Sequence, residues 1–209
     1  MQHPSPNHGV IGVAAAVAAT IAGAQTVRFD HDTPGAVPPG WSCGVTGRGS
    51  PRWTVEPAQG GGRVLLQSGS GTFPWCVRSG TAITDGFVEA QFVPISGRED
   101  QAGGVVWRWK DGDNYYVARA NALENNVSLY YTEHGARKTL KYVDAPVARG
   151  VSHTLRVEFS GPRIAVTLDG KRAIDFVDDH ITGPGAVGVW TKADSSTAFS
   201  EFSYGSAPR

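Results

Sequence analysis

Short apolar runs that alternate with polar residues fill the chain from residue 26 almost to its end. The clearest is GFVEAQFVPI, at 86–95, in which apolar residues at 88, 90 and 92 alternate with Glu89 and Gln91. In an extended strand, successive side chains point to opposite faces. The pattern therefore predicts a strand with one buried face.

Similar runs recur between Gly, Pro, Asn and Asp residues, which favour turns. The Gly- and Pro-rich segment 32–51 is predicted to be a long connection. No window after the N-terminal segment has helical periodicity, so the pattern predicts an all-β sandwich of two antiparallel sheets. The predicted strands are 26–30, 53–57, 64–68, 75–79, 86–95, 103–110, 115–122, 126–133, 138–143, 153–160, 163–170, 171–178, 186–192 and 198–205.

Composition is consistent with one folded domain. The chain has 209 residues, with 27 Gly and 13 Pro, and no proline- or glycine-rich linker divides it. We predict a single β-sandwich domain at 25–209, which is expected to be a monomer. The formal net charge is +0, without a basic stripe or charged tail. Nucleic acid and, once the N-terminal segment is removed, membranes are therefore not expected as partners.

The N-terminal segment has the features of a signal peptide. Residues 9–24 are apolar, rich in Ala and uncharged, and they are too few to cross a bilayer as a helix. Ala22 and Ala24 supply the small residues of a cleavage site, so residues 1–24 are predicted to be removed. The alternatives are a short anchor or a wrongly assigned start. Cleavage predicts a secreted or periplasmic protein.

The chain has two cysteines, Cys43 and Cys76. In an oxidising compartment they are predicted to form a disulfide. The alternative is a pair of buried free thiols. No clustered His or further Cys accompanies them, so this pair predicts no metal site.

The outward-facing positions of four predicted strands combine planar hydrogen-bonding groups with aromatic rings. Sugars require this mixture, because vicinal hydroxyls bind polar groups and the C–H face of a pyranose packs on a ring. The alternative is an ordinary solvated sheet face. If the strands are neighbours, the candidate ligand-binding residues on that face are Glu89, Gln91, Arg108, Tyr115, Arg119, Asn121, Asn126 and Tyr130.

Arg108 and Arg119 lie in otherwise apolar or aromatic strand segments, where a guanidinium needs partners. Glu89 has the charge and the phase to lie between them. We therefore predict an Arg–Glu–Arg cluster, either as the floor of a ligand site or as a structural ion network.

No cofactor is predicted, and the chain has no nucleotide-binding or common hydrolase motif. Asp111, Asp113 and Asn114 have oxygen ligands suited to calcium. However, Asp-Gly-Asp-Asn between two strands is also typical of a hairpin loop.

Two stretches, 101–140 and 188–202, resemble the central and C-terminal parts of secreted bacterial concanavalin A-like domains of the 3-keto-disaccharide hydrolase domain family. HTLRVEF and AVTLDGK lie between them, and the resemblance spans roughly 26–205. It implies a jelly-roll sandwich of laminin G-like type, with any ligand on the concave sheet face.

Such domains are also loosely grouped with family-sixteen glycoside hydrolases, whose E-[ILV]-D-x-x-E motif is absent here. Catalysis therefore stays open. Glu89 or Glu124 beside Arg108 or Arg119 is the candidate base and stabiliser for hydrolysis of a 3-keto-glycoside. The expected function is carbohydrate binding or such hydrolysis, and the alternative is a structural or protein-interaction domain of the cell envelope.

Overall fold

The computed structural model describes residues 23–207, which form two antiparallel β-sheets. The all-β prediction is confirmed. Most of the predicted signal peptide, residues 1–22, lies outside the described part of the chain, as do residues 208–209. Between residues 23 and 207 no helix has the length and apolar character needed to cross a membrane.

The first sheet has eight strands in the order β13-β12-β11-β6-β15-β4-β3, and β1 also pairs with β15. Its strands are β1 (Gln25–Arg28), β3 (Trp53–Pro57), β4 (Arg63–Gln67), β6 (Gly86–Ser96), β11 (His153–Ser160), β12 (Arg163–Leu168), β13 (Lys171–Val177) and β15 (Ser196–Ser206).

The second sheet has seven strands in the order β10-β9-β8-β7-β14-β5-β2. Its strands are β2 (Trp41–Ser50), β5 (Ser70–Arg78), β7 (Ala102–Asp111), β8 (Asn114–Asn121), β9 (Asn126–Glu133), β10 (Ala136–Asp144) and β14 (Ala186–Trp190).

The edge strand β2 corrects the prediction of a long connection over 32–51. Its glycines concealed it, since glycine is unfavourable in a regular strand. Here one glycine allows close packing, because a Cβ on Gly44 would lie 2.6 Å from the Trp75 ring. Gly44 therefore leaves room for the indole ring of Trp75 on the neighbouring strand β5.

The main core lies between the sheets and follows the predicted alternation. From the eight-stranded sheet it receives Val88, Ala90 and Phe92, and from the other sheet Trp107 and Tyr116. The rings of Trp107 and Tyr116 stack with their centres 5.3 Å apart. Burying such apolar surface provides most of the driving force for folding.

The predicted neighbours β6 and β7 belong to different sheets, because the loop between them crosses the sandwich. Glu89 and Gln91 on β6 therefore face outward from the eight-stranded sheet, where they pair with Arg156 and Thr154 of β11. The prediction that they share a face with Arg119 is wrong. Alternation along one strand does not reveal which strand lies beside it.

A bulge at Arg108 changes the phase of β7. The residue has a φ of +46°, which is rare for a residue with a side chain, and the register shifts between Trp107 and Asp111. As a result Trp109 leaves the face of Trp107 and packs against Trp75, with ring centres 5.2 Å apart. Trp107 and Trp109 therefore lie on opposite faces of β7, although two positions separate them in the sequence.

Arg108 also turns away from the position expected for it. Its side chain is 2% exposed and donates hydrogen bonds to the carbonyl oxygens of Thr84 (3.2 Å), Gly161 (2.7 Å) and Ile181 (3.1 Å). Its carboxylate partner is Asp85 at 3.4 Å rather than Glu89. The guanidinium thus joins three loops at one end of the sandwich, and the predicted Arg–Glu–Arg cluster does not form.

We expect Arg108→Met to lower the free energy of unfolding by at least about 3 kcal/mol. Three carbonyl oxygens would lose their donor, at ~1–3 kcal/mol for each unsatisfied buried group. Urea unfolding measures the loss. Arg172→Met is the control, since Arg172 is 43% exposed and forms surface ion pairs that contribute little. Equal losses in the two variants would contradict a special role for Arg108.

The predicted disulfide is confirmed. Cys43 on β2 and Cys76 on β5 are directly opposite in the strand register and are bonded to each other. The bond fastens the edge strand β2 to the rest of the seven-stranded sheet.

Replacing both cysteines by serine is expected to lower the free energy of unfolding by about 3–4 kcal/mol, because the bond closes a loop of 33 residues in the unfolded chain. Thiol titration of unfolded wild-type protein should find no reactive thiol until a reductant is added. Two titratable thiols in protein taken directly from the periplasm or medium would refute the bond.

Candidate functional site

The outer face of the seven-stranded sheet is buried, although no strand of the described chain packs on it. A second apolar cluster lies there, formed by alternate residues of the same strands that fill the main core. Its buried members are Val77, Ala102, Val106, Tyr115, Val117, Tyr130 and Trp190. By contrast, the outer face of the eight-stranded sheet carries partly exposed ion pairs, such as Arg156 with Glu89 and Glu158.

Strong curvature explains the burial. Tyr115 on β8 and Thr46 on β2 are four strands apart, which is about 19 Å in a flat sheet. Their hydroxyl oxygens nevertheless lie 2.7 Å apart. Arg137 on β10 and Phe73 on β5 are five strands apart, yet the guanidinium is 4.5 Å from the ring centre. The outer face of the seven-stranded sheet is therefore concave, and its side chains converge.

A hydrogen-bonded polar cluster occupies one end of this concave face. Arg119, which is 2% exposed, donates from Nη1 to Asp100 (3.0 Å) and from Nη2 to Glu124 (2.5 Å). Asp100 is fully buried and also accepts hydrogen bonds from Asn121 (2.5 Å) and Lys192. We define the polar cluster as Asp100, Arg119, Asn121, Glu124, Asn126, Tyr142 and Lys192.

Backbone hydrogen bonds fix the loop that carries Asp100. The carboxylate of Asp194 accepts hydrogen bonds from the backbone N–H groups of Arg98 (2.7 Å), Glu99 (3.0 Å) and Asp100 (3.2 Å). Burial opposes the charge of Asp194, but these bonds hold its pKa below the usual range. The crossing loop between β6 and β7 thus places a carboxylate beneath Arg119.

The polar cluster is accessible on the side that faces solvent, where the side chains of Glu124 and Lys192 are 36% and 27% exposed. Tyr142 is 47% exposed, and its hydroxyl donates to Glu124 at 2.5 Å. Asn126 also donates to Glu124, at 2.8 Å. The buried side chains of Arg119 and Asp100 therefore hold the charged and hydroxyl groups above them in a fixed arrangement at the surface.

The surroundings of Glu124 keep it ionised. Burial opposes its charge, but hydrogen bonds from Tyr142 and Asn126 and the charge of Arg119 outweigh that effect and lower its pKa to about 2. Burial and the hydrogen bond to Glu124 raise the pKa of Tyr142 to about 12. Tyr142 is therefore a donor, and Glu124 an acceptor, over a wide pH range.

Because the pKa of Glu124 falls from 4.5 to about 2 on folding, its ionised form stabilises the folded state above pH 4.5. We expect the difference in unfolding free energy between wild type and Glu124→Gln to be constant near neutral pH and to shrink as the pH falls from 4.5 towards 2. Urea unfolding at a series of pH values measures it, with Glu133→Gln as an exposed control. A difference that stays constant throughout this range would contradict the paired state of Glu124.

Aromatic rings occupy the rest of the concave face. The Arg137 guanidinium lies 4.2 Å from the centre of the Tyr130 ring, and Trp75 packs against Trp109. Several buried donors here have no hydrogen-bond partner between residues 23 and 207, including Trp75 Nε1, Trp109 Nε1 and Arg137 Nη1. These donor atoms are buried, but the rings of Trp75 and Trp109 are partly exposed and offer an apolar surface on which a sugar ring can pack.

The structure brings together five of the eight candidate residues on the concave face, and it separates the other three. Arg108 lies in β7 but its side chain binds loops at one end of the sandwich, and Glu89 and Gln91 lie on the opposite sheet. Those that converge are Tyr115, Arg119, Asn121, Asn126 and Tyr130.

The candidate set lacked several residues that the fold adds. Asp100 lies in a loop, where strand periodicity gives no signal, and Tyr142 follows a bulge in β10. Lys192 closes the predicted strand 186–192, but in the structure β14 ends at Trp190 and Lys192 lies in the loop that follows. Trp109 reaches the concave face only because of the bulge at Arg108. Glu124, predicted as a candidate base, instead accepts hydrogen bonds from Arg119, Asn126 and Tyr142.

The residues considered for calcium form a turn. Oδ1 of Asp111 accepts hydrogen bonds from the Asp113 backbone N–H and from Asn114 Nδ2, both at 2.8 Å. In the described part of the chain, no group of three or more His, Cys, Asp or Glu side chains is placed to hold a metal ion.

Comparison with solved structures shows a concanavalin A-like sandwich fold. The carbohydrate binding module CBM66 from Bacillus subtilis matches with a TM-score of 0.64 and 22% identity, covering 77% of this chain and 92% of that one. The Bacillus licheniformis β-glucanase matches with a TM-score of 0.61 and 13% identity, covering 90% and 99%. The lumenal domain of VIP36, solved with Ca²⁺ and Man2, matches at 0.55 and 13%, covering 86% of each chain.

Among curated proteins, a levanase of Bacillus subtilis is 29% identical over 142 residues, which cover 66% of this chain. The match spans 19% of the levanase, so this chain corresponds to about a fifth of that protein. No family model matches the chain. Membership of the 3-keto-disaccharide hydrolase domain family therefore stays a prediction.

Proposed function

We propose that this chain is an exported carbohydrate-binding domain whose ligand lies on the concave face of the seven-stranded sheet. The observation that carries the proposal is the polar cluster, which presents Glu124, Tyr142 and Lys192 at the surface above a buried Arg119–Asp100 pair. Carboxylate, hydroxyl and ammonium groups in a fixed arrangement match the vicinal hydroxyls of a sugar. The disulfide accords with export, because such bonds persist in oxidising compartments.

Proteins that are similar to this chain in fold or in sequence support the same class of ligand. A carbohydrate binding module, a β-glucanase and a mannose-bound lumenal domain share this fold, and part of a levanase resembles the sequence. Fold alone does not determine function, so the polar cluster remains the basis of the proposal.

The geometry favours binding over hydrolysis of a 3-keto-glycoside. Elimination from such a substrate needs an accessible base whose pKa lies near the working pH. Asp100 is fully buried, and the pKa of Glu124 is about 2. All three donors to Glu124 bind its Oε2, so its Oε1 remains to accept hydrogen bonds from sugar hydroxyls.

The alternative of an envelope interaction domain requires a contiguous apolar surface. In the described chain the largest apolar surface lies on the eight-stranded sheet, where Phe87, Phe159, Ile164, Phe176 and Val177 line a groove of about 760 Å³ together with several charged residues. An envelope partner would therefore bind there, on the sheet opposite the polar cluster.

Glu124→Gln is expected to weaken binding at least about tenfold, since a hydrogen bond to a charged group contributes ~1.5–3 kcal/mol. A glycan array with wild-type protein identifies a ligand, and calorimetry then compares the variants. Tyr142→Phe should weaken binding in the same direction, because it removes the hydroxyl that donates to Glu124.

Glu89→Gln is the matched control, because Glu89 is a partly exposed, ion-paired glutamate on the opposite sheet. It should bind as wild type does. Arg119→Met is unsuitable as a first test, since it would leave the buried Asp100 without its main partner. Absence of binding to any glycan, or equal losses in Glu89→Gln and Glu124→Gln, would refute the proposal.

A further inference from the structure

A second feature of the concave face is a cavity of about 410 Å³ over β2, β5, β7 and β14. Trp109 pairs with Ala186 in the register, and Ser42 pairs with Val77, so these outward-facing residues place the cavity on the same face as the polar cluster. Arg78, Trp109 and Lys110 are among the residues that line it.

The charges of this cavity are all of one sign. Its lining includes Arg78 and Lys110 but no Asp or Glu. Neither cation forms an ion pair with any residue between 23 and 207, and each has one carbonyl acceptor: Pro39 O for Arg78 (2.9 Å) and Pro184 O for Lys110 (2.5 Å). Most of their N–H groups therefore have no protein acceptor.

The opposite sheet shows that this arrangement is not general in the protein. There Arg156 pairs with Glu89 and Glu158, and Arg172 pairs with Glu158 and Asp175. The outer face of that sheet is thus balanced in charge, whereas the cavity is cationic.

An aromatic wall accompanies the two cations. The bulge at Arg108 directs Trp109 to this face, where its ring packs against Trp75 and lines the cavity. Backbone strain of this kind persists only where the surrounding structure maintains it. Arg78 and Lys110 directly follow the outward-facing residues Val77 and Trp109, and they border the cavity at the ends of β5 and β7.

We propose that this cavity binds an anionic sugar unit, so that the ligand of the concave face is an acidic oligosaccharide. The anionic group would accept hydrogen bonds from Lys110 and Arg78, and the sugar ring would pack on Trp109. This inference rests on the proposed carbohydrate-binding function. The ligand would then span two subsites: the cavity binds its anionic unit, and the polar cluster binds the hydroxyl groups of a neutral unit.

The electrostatics of Lys110 agree with this assignment. Burial, and then the positive charge of Arg108, lower the pKa of Lys110, and no ion pair offsets them. A bound anion would supply the missing negative charge.

The test compares acidic oligosaccharides with neutral forms of the same backbone. Calorimetry measures the binding of three oligouronates and of their neutral methyl esters: oligogalacturonate, oligoglucuronate and oligomannuronate. Sulfated galactans are compared in the same way with their desulfated forms. We expect at least one acidic form to bind about tenfold or more tightly than its neutral form. The preference should decrease with salt, because exposed charges are screened. Comparing the oligouronates with the sulfated galactans shows whether the cavity binds carboxylate or sulfate groups.

Lys110→Met and Arg78→Met should each remove most of this preference, because they weaken binding of the acidic form much more than binding of the neutral form. Lys171→Met is the control, since Lys171 is an exposed lysine on the opposite sheet. Thermal melting verifies that each variant is folded.

The outcomes separate this inference from the proposed function. Neutral glycans that bind as tightly as acidic ones, with no effect of Lys110→Met, would overturn the anionic subsite and leave the carbohydrate site intact. Binding to no glycan, neutral or acidic, would overturn both.

Discussion

The curvature of the seven-stranded sheet determines which of its side chains can act together. Tyr115 reaches Thr46 across four strands, and Arg137 reaches Phe73 across five. Without that curvature, the outer face would be an ordinary solvated surface like that of the opposite sheet. With it, aromatic rings form a second small core, and polar side chains are gathered at its two ends.

Both ends of the concave face depend on irregular backbone. At one end the loop held by Asp194 inserts Asp100 beneath Arg119, so that the accessible groups Glu124 and Lys192 have buried partners. At the other end the bulge at Arg108 turns Trp109 outward beside the cationic cavity. A side chain whose position is fixed before binding loses little entropy when a ligand arrives. Such preorganisation favours selective recognition of a polar ligand.

Most strands and the sandwich could be predicted from the sequence, because alternation and turn residues are local signals, but the glycine-rich edge strand β2 could not. Strand neighbours could not, since β6 and β7 follow each other in the chain but lie in different sheets. For that reason Glu89 and Gln91 lie on the eight-stranded sheet and not, as the alternation predicts, beside Arg119. The bulge at Arg108 shifts the phase of the residues that follow it, and an Arg in a strand gives no warning of a positive φ. Asp100 and Lys192 act through loops, whose geometry no periodicity encodes.

The central claim is that the concave face, and not the opposite sheet, receives a carbohydrate. Its most direct test is an NMR titration of ¹⁵N-labelled protein with the best glycan from an array, observing backbone amides and indole N–H groups. We predict that the indole signals of Trp75 and Trp109 and the amide of Glu124 shift together, while Glu89 and Gln91 stay unchanged. Shifts confined to the eight-stranded sheet, with unchanged indole signals, would contradict the account.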